Sequence, residues 1–480
     1  MVAPCISILK RSALALTPLF LALTLSGCAV GPDYQRPAAV SVPLQYKEAK
    51  GWQQAEPQDQ VNKGEWWSVY RDATLSSLLR QVSISNQNVA QYEAQYRQAK
   101  ALAAQSRSEL FPTISGSGSG TRSGSKASGS SGQRSVSNSF SAQASASWEL
   151  DLWGKLRRTL EENQASAQAS QAELANITLS AQSELAQDYF QLRIMDRQIA
   201  LYQQSVQAYE RYLQVIDNKY QAGAESRSTL AQAQLQLESA RASALDYVWQ
   251  RAQLEHAIAL LIGKTPAEFS LAAAPLSATL PAIPHALPSE LLQRRPDIAY
   301  AERNVAAANA AVGVAIAGYY PDLTLSASGG FSSSVLHNLV SLPNRVWSLG
   351  PELSGTLLDF GATSAKVEQA RAAYDASVAS YRQAVLQGFT EVENYLVQLN
   401  TLQDELAAQQ RAATAAQDSA RVTRNQYEAG MIDYLDVATT ENASLSQQQS
   451  LLSLQSTQWV ASVELIAALG GGWDAATLTR

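Results

Sequence analysis

Cysteine is nearly absent from this chain, with only Cys5 and Cys28 in 480 residues. Two cysteines cannot build the disulfide framework of a small secreted scaffold. Methionine is as scarce, and beyond Met1 only Met195 and Met431 remain, too few to line a route for soft metal ions. Histidines 256, 285 and 337 are scattered without metal-ligand spacing. Charged residues make up 16% and the formal net charge is −6, which lacks the basic stripe of a nucleic-acid binder. No apolar run reaches the ~20 residues that a transmembrane helix requires. "IGKT" at 262–265 would need a glycine at position 258 to make a phosphate loop, and Ile258 stands there. With no nucleophile elbow either, the sequence predicts no enzyme, no metal and no enzymatic cofactor.

Alanine, glutamine, serine and leucine dominate instead, a bias suited to long helices joined by small-residue seams. At the N-terminus, Lys10 and Arg11 precede an apolar run over 12–25 that ends in "LSGC" at 25–28. The run has signal-peptide length, and small residues before a cysteine form a lipoprotein signal. Cys28 is therefore expected to carry a diacylglycerol and an N-acyl lipid as the first mature residue. Cys5 leaves with the signal, so no disulfide is possible and stability must come from packing. Ala29, where aspartate would signal inner-membrane retention, favours the outer membrane.

Further along, "FSAQASASWEL" at 140–150 alternates strictly. Phe140, Ala142, Ala144, Ala146, Trp148 and Leu150 share one face, with Ser141, Gln143, Ser145, Ser147 and Glu149 on the other. Period-two alternation predicts a strand with one apolar and one wet side. Landmarks then repeat: "LDLWG" at 150–154 answers to "LLDFG" at 357–361, and "KYQAG" at 219–223 to "QYEAG" at 426–430, both 207 residues apart. "LFPTISGSGSG" at 110–120 answers to "YYPDLTLSASGG" at 319–330, which implies a duplicated architecture.

The predicted organisation is a signal (1–27), an anchor with an extended segment (28–74), a short helical region (75–111), a β-hairpin (112–150) and a long helical hairpin (151–262). A proline-rich link (263–290) leads to the second short helical region (291–320), hairpin (321–358), long helical hairpin (359–469) and tail (470–480). Helical pattern reads as continuous over 75–110. The Ser/Gly-rich run 115–138 reads as a solvated loop, and strands are predicted over 323–328 and 347–357. Alanines 165, 169 and 172, and 365, 372, 376 and 379, recur at helix-contact spacing.

Four strands cannot close a barrel, since small barrels need about eight. Three copies would supply twelve, with the apolar face toward lipid, the polar face toward a lumen, and Phe140, Trp148, Trp153, Phe331, Trp347 and Phe360 near the strand ends. The fold predicted is thus mainly α with membrane β: a homotrimeric twelve-stranded barrel continued by a long periplasmic α-barrel. A trimeric adhesin also closes twelve strands from three chains, but keeps its four strands contiguous at the C-terminus. Here the hairpins are separated by about 170 residues of mostly helix.

Several motifs carry a resemblance to a known family. "CAVGPDYQRP" at 28–37, "EWWSVYRDATLSSLL" at 65–79, "LLQRRPDIAYAERNVAAANAAVGVAIAGYYPDLTLSASGG" at 291–330 and "NQYEAGMIDYLDVATTEN" at 425–442 resemble the TolC-like outer-membrane factors, in their lipoprotein branch (OprM/NodT-like) serving RND-type drug efflux. The resemblance implies a homotrimer in outer-membrane lipid, docked to a periplasmic membrane-fusion adaptor and an inner-membrane RND-type pump. Such a channel passively exports drugs or other small toxic compounds. Type I protein secretion uses the same fold and is the alternative.

By position, the resemblance makes Tyr427 a residue tying neighbouring helices together, Leu435 an apolar constriction and Asp436 a ring of carboxylates, with Asp433 a second candidate. Thr439 and Thr229 stand where relatives place aspartates. A charge-assisted hydrogen bond is about twice as strong as a neutral one, so the gate is expected to be held less by charge here. Gly223 and Gly430 are expected to allow the tip turns and to lie where the adaptor docks. Arg294, Arg295, Pro296 and Asp297 are expected to set a helix start.

Overall fold

The computed structural model describes residues 29–40, 46–48, 64–126, 134–281 and 294–478. In chain order the elements are α1 (Ala73–Ser85), α2 (Gln87–Ser108), β1 (Thr113–Lys126), β2 (Arg134–Leu150), α3 (Lys155–Gln221), α4 (Arg227–Leu261), α5 (Pro296–Ala317), β3 (Asp322–Ser333), β4 (Arg345–Ser354), α6 (Ala362–Glu428) and α7 (Tyr434–Ala468), with short 3-10 turns between them. Among the described residues no helix is long and apolar enough to cross a membrane.

The duplication is visible element by element. Helices α3 and α6 are both 67 residues long, or ~100 Å at 1.5 Å per residue. Their partners α4 and α7 are both 35 residues, and α2 and α5 both 22. Nearest the sheet the helices form a single layer in the order α2–α3–α5–α6, and beyond mid-length the order is α4–α3–α7–α6. Among the described residues, each tier leaves its two outer helices without a helical neighbour on one side.

The four strands make one antiparallel sheet in sequence order, so β1 and β4 are free edges. One expectation is overturned here. Most of the Ser/Gly-rich run 115–138 is not loop: β1 occupies Thr113–Lys126 and β2 begins at Arg134. The reason lies in the pairing. Gly116, Gly118 and Gly120 sit opposite Ala144, Ala142 and Phe140, a flat contact that needs no apolar side chain on β1. On the opposite face the hydroxyls of Ser115 and Ser145 lie 2.8 Å apart, those of Ser119 and Ser141 2.8 Å, and those of Ser123 and Ser137 2.9 Å. Serine rungs supply cross-strand bonds where bulk is missing.

Two boundaries also differ. The helix expected over 75–110 breaks at Asn86, whose side chain accepts from Val89 N (3.0 Å) and donates to Leu261 O (2.8 Å). A capping side chain that satisfies both a helix start and a helix end makes the break. The last strand stops at Ser354, so Leu357 lies outside it and is exposed. Ala165, Ala169 and Ala172 are buried within the chain, whereas Ala365, Ala372, Ala376 and Ala379 are exposed.

The main core sits at mid-length, where Trp66, Tyr70, Leu75, Leu79, Phe190 and Trp459 converge. Phe190 lies 5.0 Å from Tyr70 and 4.7 Å from Trp459 by ring centroid. The Arg-Arg-Pro-Asp motif closes this level. Pro296 opens α5, while Arg295 is buried, donates to Asp297 (3.0 and 2.6 Å) and to Ala468 O (3.0 Å), and pairs with Glu391 (2.9 Å). Proline at the first helical position suits a helix start.

Candidate gate and docking tip

At the end farthest from the sheet, two turns join α3 to α4 and α6 to α7. Gly223 (φ 76°) and Gly430 (φ 75°) are both left-handed, a conformation in which glycine carries no Cβ penalty. Gly223 N donates to Tyr220 O (2.9 Å) and Ala224 N to Lys219 O (2.8 Å); Gly430 N donates to Tyr427 O (2.9 Å) and Met431 N to Gln426 O (2.9 Å). These paired bonds close each long helix with the same glycine stop. A Cβ on either glycine would meet nothing within 4 Å, so the turns are open to an approaching surface.

Around the second turn the residues divide by burial. Tyr427 is 7% exposed and packs edge-on against Tyr434, at 6.1 Å between centroids. Tyr212 of α3 lies 6.0 Å from Tyr434. Burial raises the Tyr434 pKa, helped by the neighbouring Tyr209, Tyr212 and Tyr427. Leu435, by contrast, is 55% exposed, and Asp433, Asp436 and Thr439 also face solvent. The Asp436 backbone accepts from the Thr440 hydroxyl, and the Thr439 hydroxyl bonds to Leu435 O (2.8 Å). Leu435 and Asp436 thus leave the first turn of α7 as an apolar and an anionic group free to meet other surfaces.

Thr229 bonds within its own helix cap. Its hydroxyl lies 2.9 Å from Ser226 Oγ, which caps α4 by accepting from Thr229 N (3.1 Å). The Tyr427 hydroxyl instead meets Lys219 Nζ at 3.4 Å, and the same ammonium sits 4.7 Å from the Tyr427 ring centroid. Lys219 belongs to α3 and Tyr427 to α6, so this contact ties the two hairpins together within one chain. A second tie joins α6 to α7, where Arg424 Nε donates to Glu441 (3.1 Å). A third is the amide pair of Gln236 and Asn442, between α4 and α7.

Cys28 lies outside the described residues, but the segment that follows it is seated firmly. Val30 N donates to Trp153 O (2.9 Å), Asn309 to Pro32 O (3.0 Å), Arg158 to Asp33 (2.7 Å) and Tyr34 to Glu302. A Cβ on Gly31 would fall 2.5 Å from Gly313 Cα, so two glycines permit this approach. Ala29 is thereby held against the strand-to-helix junction at Trp153 and Gly154.

With this geometry established, comparison with known proteins is decisive. The family model for outer membrane efflux proteins matches residues 78–264 and again 287–471, once per repeat. The chain belongs to that family. This efflux channel is 28% identical to the cation efflux system protein CusC of Escherichia coli O6:H1, over 96% of the chain and 99% of the relative. It is 30% identical to the outer membrane protein OprJ of Pseudomonas aeruginosa, over 97% of each. The solved structure of the outer-membrane channel OprN superposes with a TM-score of 0.84 at 30% identity, covering 93% of this chain and all of that one. The fold is TolC-like, the protein is an outer-membrane efflux channel, and the family is one of channels rather than enzymes.

Sequence reasoning missed Lys219, Tyr434, Tyr212 and the Arg424–Glu441 pair. The signal available was aromatic spacing: Tyr209 and Tyr212 are three apart near the end of α3, and Tyr427 and Tyr434 flank the second turn.

Proposed function

We propose that three copies of this efflux channel close around a common axis, docked on a periplasmic membrane-fusion adaptor and supplied by an inner-membrane RND-type pump with drugs or other small toxic compounds. One observation carries the reading. Among the described residues every layer has two free edges, β1 and β4 in the sheet, and α2 or α4 opposite α6 in the helices. Unpaired strand edges seek partners, and three copies give the twelve strands that close a barrel with a central passage. The apolar parity of the strands then faces lipid and the serine rungs face the passage. The exposed alanines on α6 become close contacts between chains.

In this assembly the lipid on Cys28 enters the membrane beside Trp153, because residues 29–34 are fixed there. The far mouth narrows where Leu435 and Asp436 from three chains approach the axis. Tyr427 holds the hairpins together beneath them, and Thr439 and Thr229 leave the gate short of two charges. Gly223 and Gly430 present backbone to the adaptor. The channel is passive in this reading, with the inner-membrane pump supplying the energy.

Paired cysteines on the two edges test closure. Single cysteines at Ser117 on β1 and Ser348 on β4, scanned one position at a time along each polar face, should cross-link into a species that stops at the trimer. Ladders running beyond the trimer, or no cross-link at any register, would reject the closed ring.

A further inference from the structure

Two side chains on the free edges of the sheet lack a suitable neighbour within the chain. Arg122 on β1 and Trp347 on β4 both lie on the parity that the channel reading turns toward lipid, and both are exposed. Residues 113–148 and 323–351, nearly all of both hairpins, contain no aspartate or glutamate, so neither hairpin offers Arg122 a carboxylate at its level. Trp347 is 72% exposed and stands six residues above Leu353 on the same strand. At ~3.3 Å per residue and a ~40° tilt that is ~15 Å along the membrane normal, inside an apolar band ~25 Å tall. Indoles favour the interface, where the N–H meets water and headgroups. Nor does the ring cover its own rung. Trp347 pairs with Gly329, yet a Cβ on Gly329 would meet nothing within 4 Å.

Closing three copies pairs β4 of one chain with β1 of the next, antiparallel, with the outward faces kept together. The ten residues of β4 must fit within the fourteen of β1. Full pairing with parity preserved leaves three registers, each two residues from the next. The Gly/Ser repeat of β1 hardly chooses among them, since a two-residue slip mostly lays glycine where glycine was. Charge does choose. The first register sets Arg345 directly opposite Arg122, and like charges in that position are destabilising. The last sets Arg122 opposite Leu349 and leaves the guanidinium without a partner. The middle register sets Arg122 opposite Trp347, with Arg345 opposite Gly124, Leu349 opposite Gly120 and Leu353 opposite Gly116. The large side chains of β4 then lie against flat glycines or against the one arginine.

We infer that Trp347 of each copy stacks on Arg122 of the next across the barrel seam, a cation–π contact that fixes the seam register. The inference rests on the channel reading above, which supplies the second copy. It answers both needs at once, since the guanidinium gains a partner that is not an acid and the indole gains a cover within the apolar band. Such an attraction strengthens when it is desolvated. Strand number, stagger and tilt are linked in a closed barrel, so a slip at each of the three seams would change its tilt and width. The contact thereby sets the bore of the exit.

Disulfide trapping in the full-length channel in native membranes reads the register. Ser348→Cys is combined in turn with Ser119→Cys, Thr121→Cys and Ser123→Cys, the passage-side positions opposite it in the first, middle and last registers. The three pairs share one strand geometry, and Arg122 and Trp347 stay in place. The Thr121 pair should form its inter-chain disulfide fastest, because a slip of two residues carries the Cα atoms to about 7 Å or beyond. The dissociation rate of the trimer in detergent reads the contact itself. Arg122→Met and Trp347→Leu should each speed it about tenfold or more, and the double variant hardly further. Fastest trapping with the Ser119 or Ser123 partner would overturn the inference and leave the closed trimer standing. Slower dissociation of Arg122→Met, the result expected of an arginine that meets only lipid, would overturn it as well, as would additive effects in the double variant. Recovery of monomer alone, with no inter-chain disulfide from any pair, would overturn it together with the channel reading.

Discussion

Replacing Lys219 with methionine removes the ammonium that lies 4.7 Å from the Tyr427 ring and 3.4 Å from its hydroxyl, while keeping most of the apolar stem. The contact is half-exposed on the lysine side and buried on the tyrosine side. A cation over an aromatic face contributes about 0.5–1 kcal/mol at exposed sites and more when desolvated, so about 1 kcal/mol per chain is appropriate. The 3.4 Å approach to the hydroxyl is long for a hydrogen bond and adds little. If the three hairpin pairs of a trimer open together, the loss sums to about 3 kcal/mol, a shift of roughly a hundredfold toward the open mouth. Single-channel recording in planar bilayers reads this directly as open probability and conductance. Tyr427→Phe keeps the ring and should shift opening far less than Lys219→Met. Wild-type gating in Lys219→Met, or a larger effect from Tyr427→Phe, would refute the latch.

Thr439→Asp restores a carboxylate one turn beyond Asp436 and should change single-channel conductance and raise cation preference; equal conductance would count against a gate short of charge. Asp188 has its pKa pushed up to about 7, first by burial and then by Glu184. Its folded form therefore holds the proton more tightly than the unfolded chain's ~3.9. The stability it supplies is complete below about pH 4 and is lost as pH rises through about 7. Asp188→Asn should flatten that slope and, above pH 7, gain roughly 2–4 kcal/mol, measured by denaturant melts across pH. Arg295→Met strands Asp297 and Glu391 beside a buried site and should cost about 3 kcal/mol in the same assay. Gly31→Val forces a side chain into Gly313 Cα and should lower Tm while leaving acylation of Cys28 intact, as judged by mass spectrometry.

Much of this architecture was legible because its periods are strong. The 207-residue offset, the glycine stops and the alternation from Phe140 follow from backbone chemistry that survives without tertiary context. β1 was hidden because its strand-forming signal is pairwise. Glycines opposite Ala142, Ala144 and Phe140, and serines opposite serines, make sense only once the partner strand is known. The break at Asn86 was hidden for a similar reason, since half of its bonding goes to Leu261, far along the chain. At the tip, the glycines and Tyr427 could be read from motif position. Their actual partners could not. Lys219 meets Tyr427 across 208 residues, and Thr229 turns to its own helix cap.

The most direct test of the account places a photo-crosslinking residue at Gln221, beside the first tip turn, and identifies its captured partner in native cells by mass spectrometry. An RND-type adaptor is the predicted capture, and it would name the pump whose compounds to assay. An ABC-type secretion adaptor captured there would contradict the efflux assignment and move the same channel to protein export.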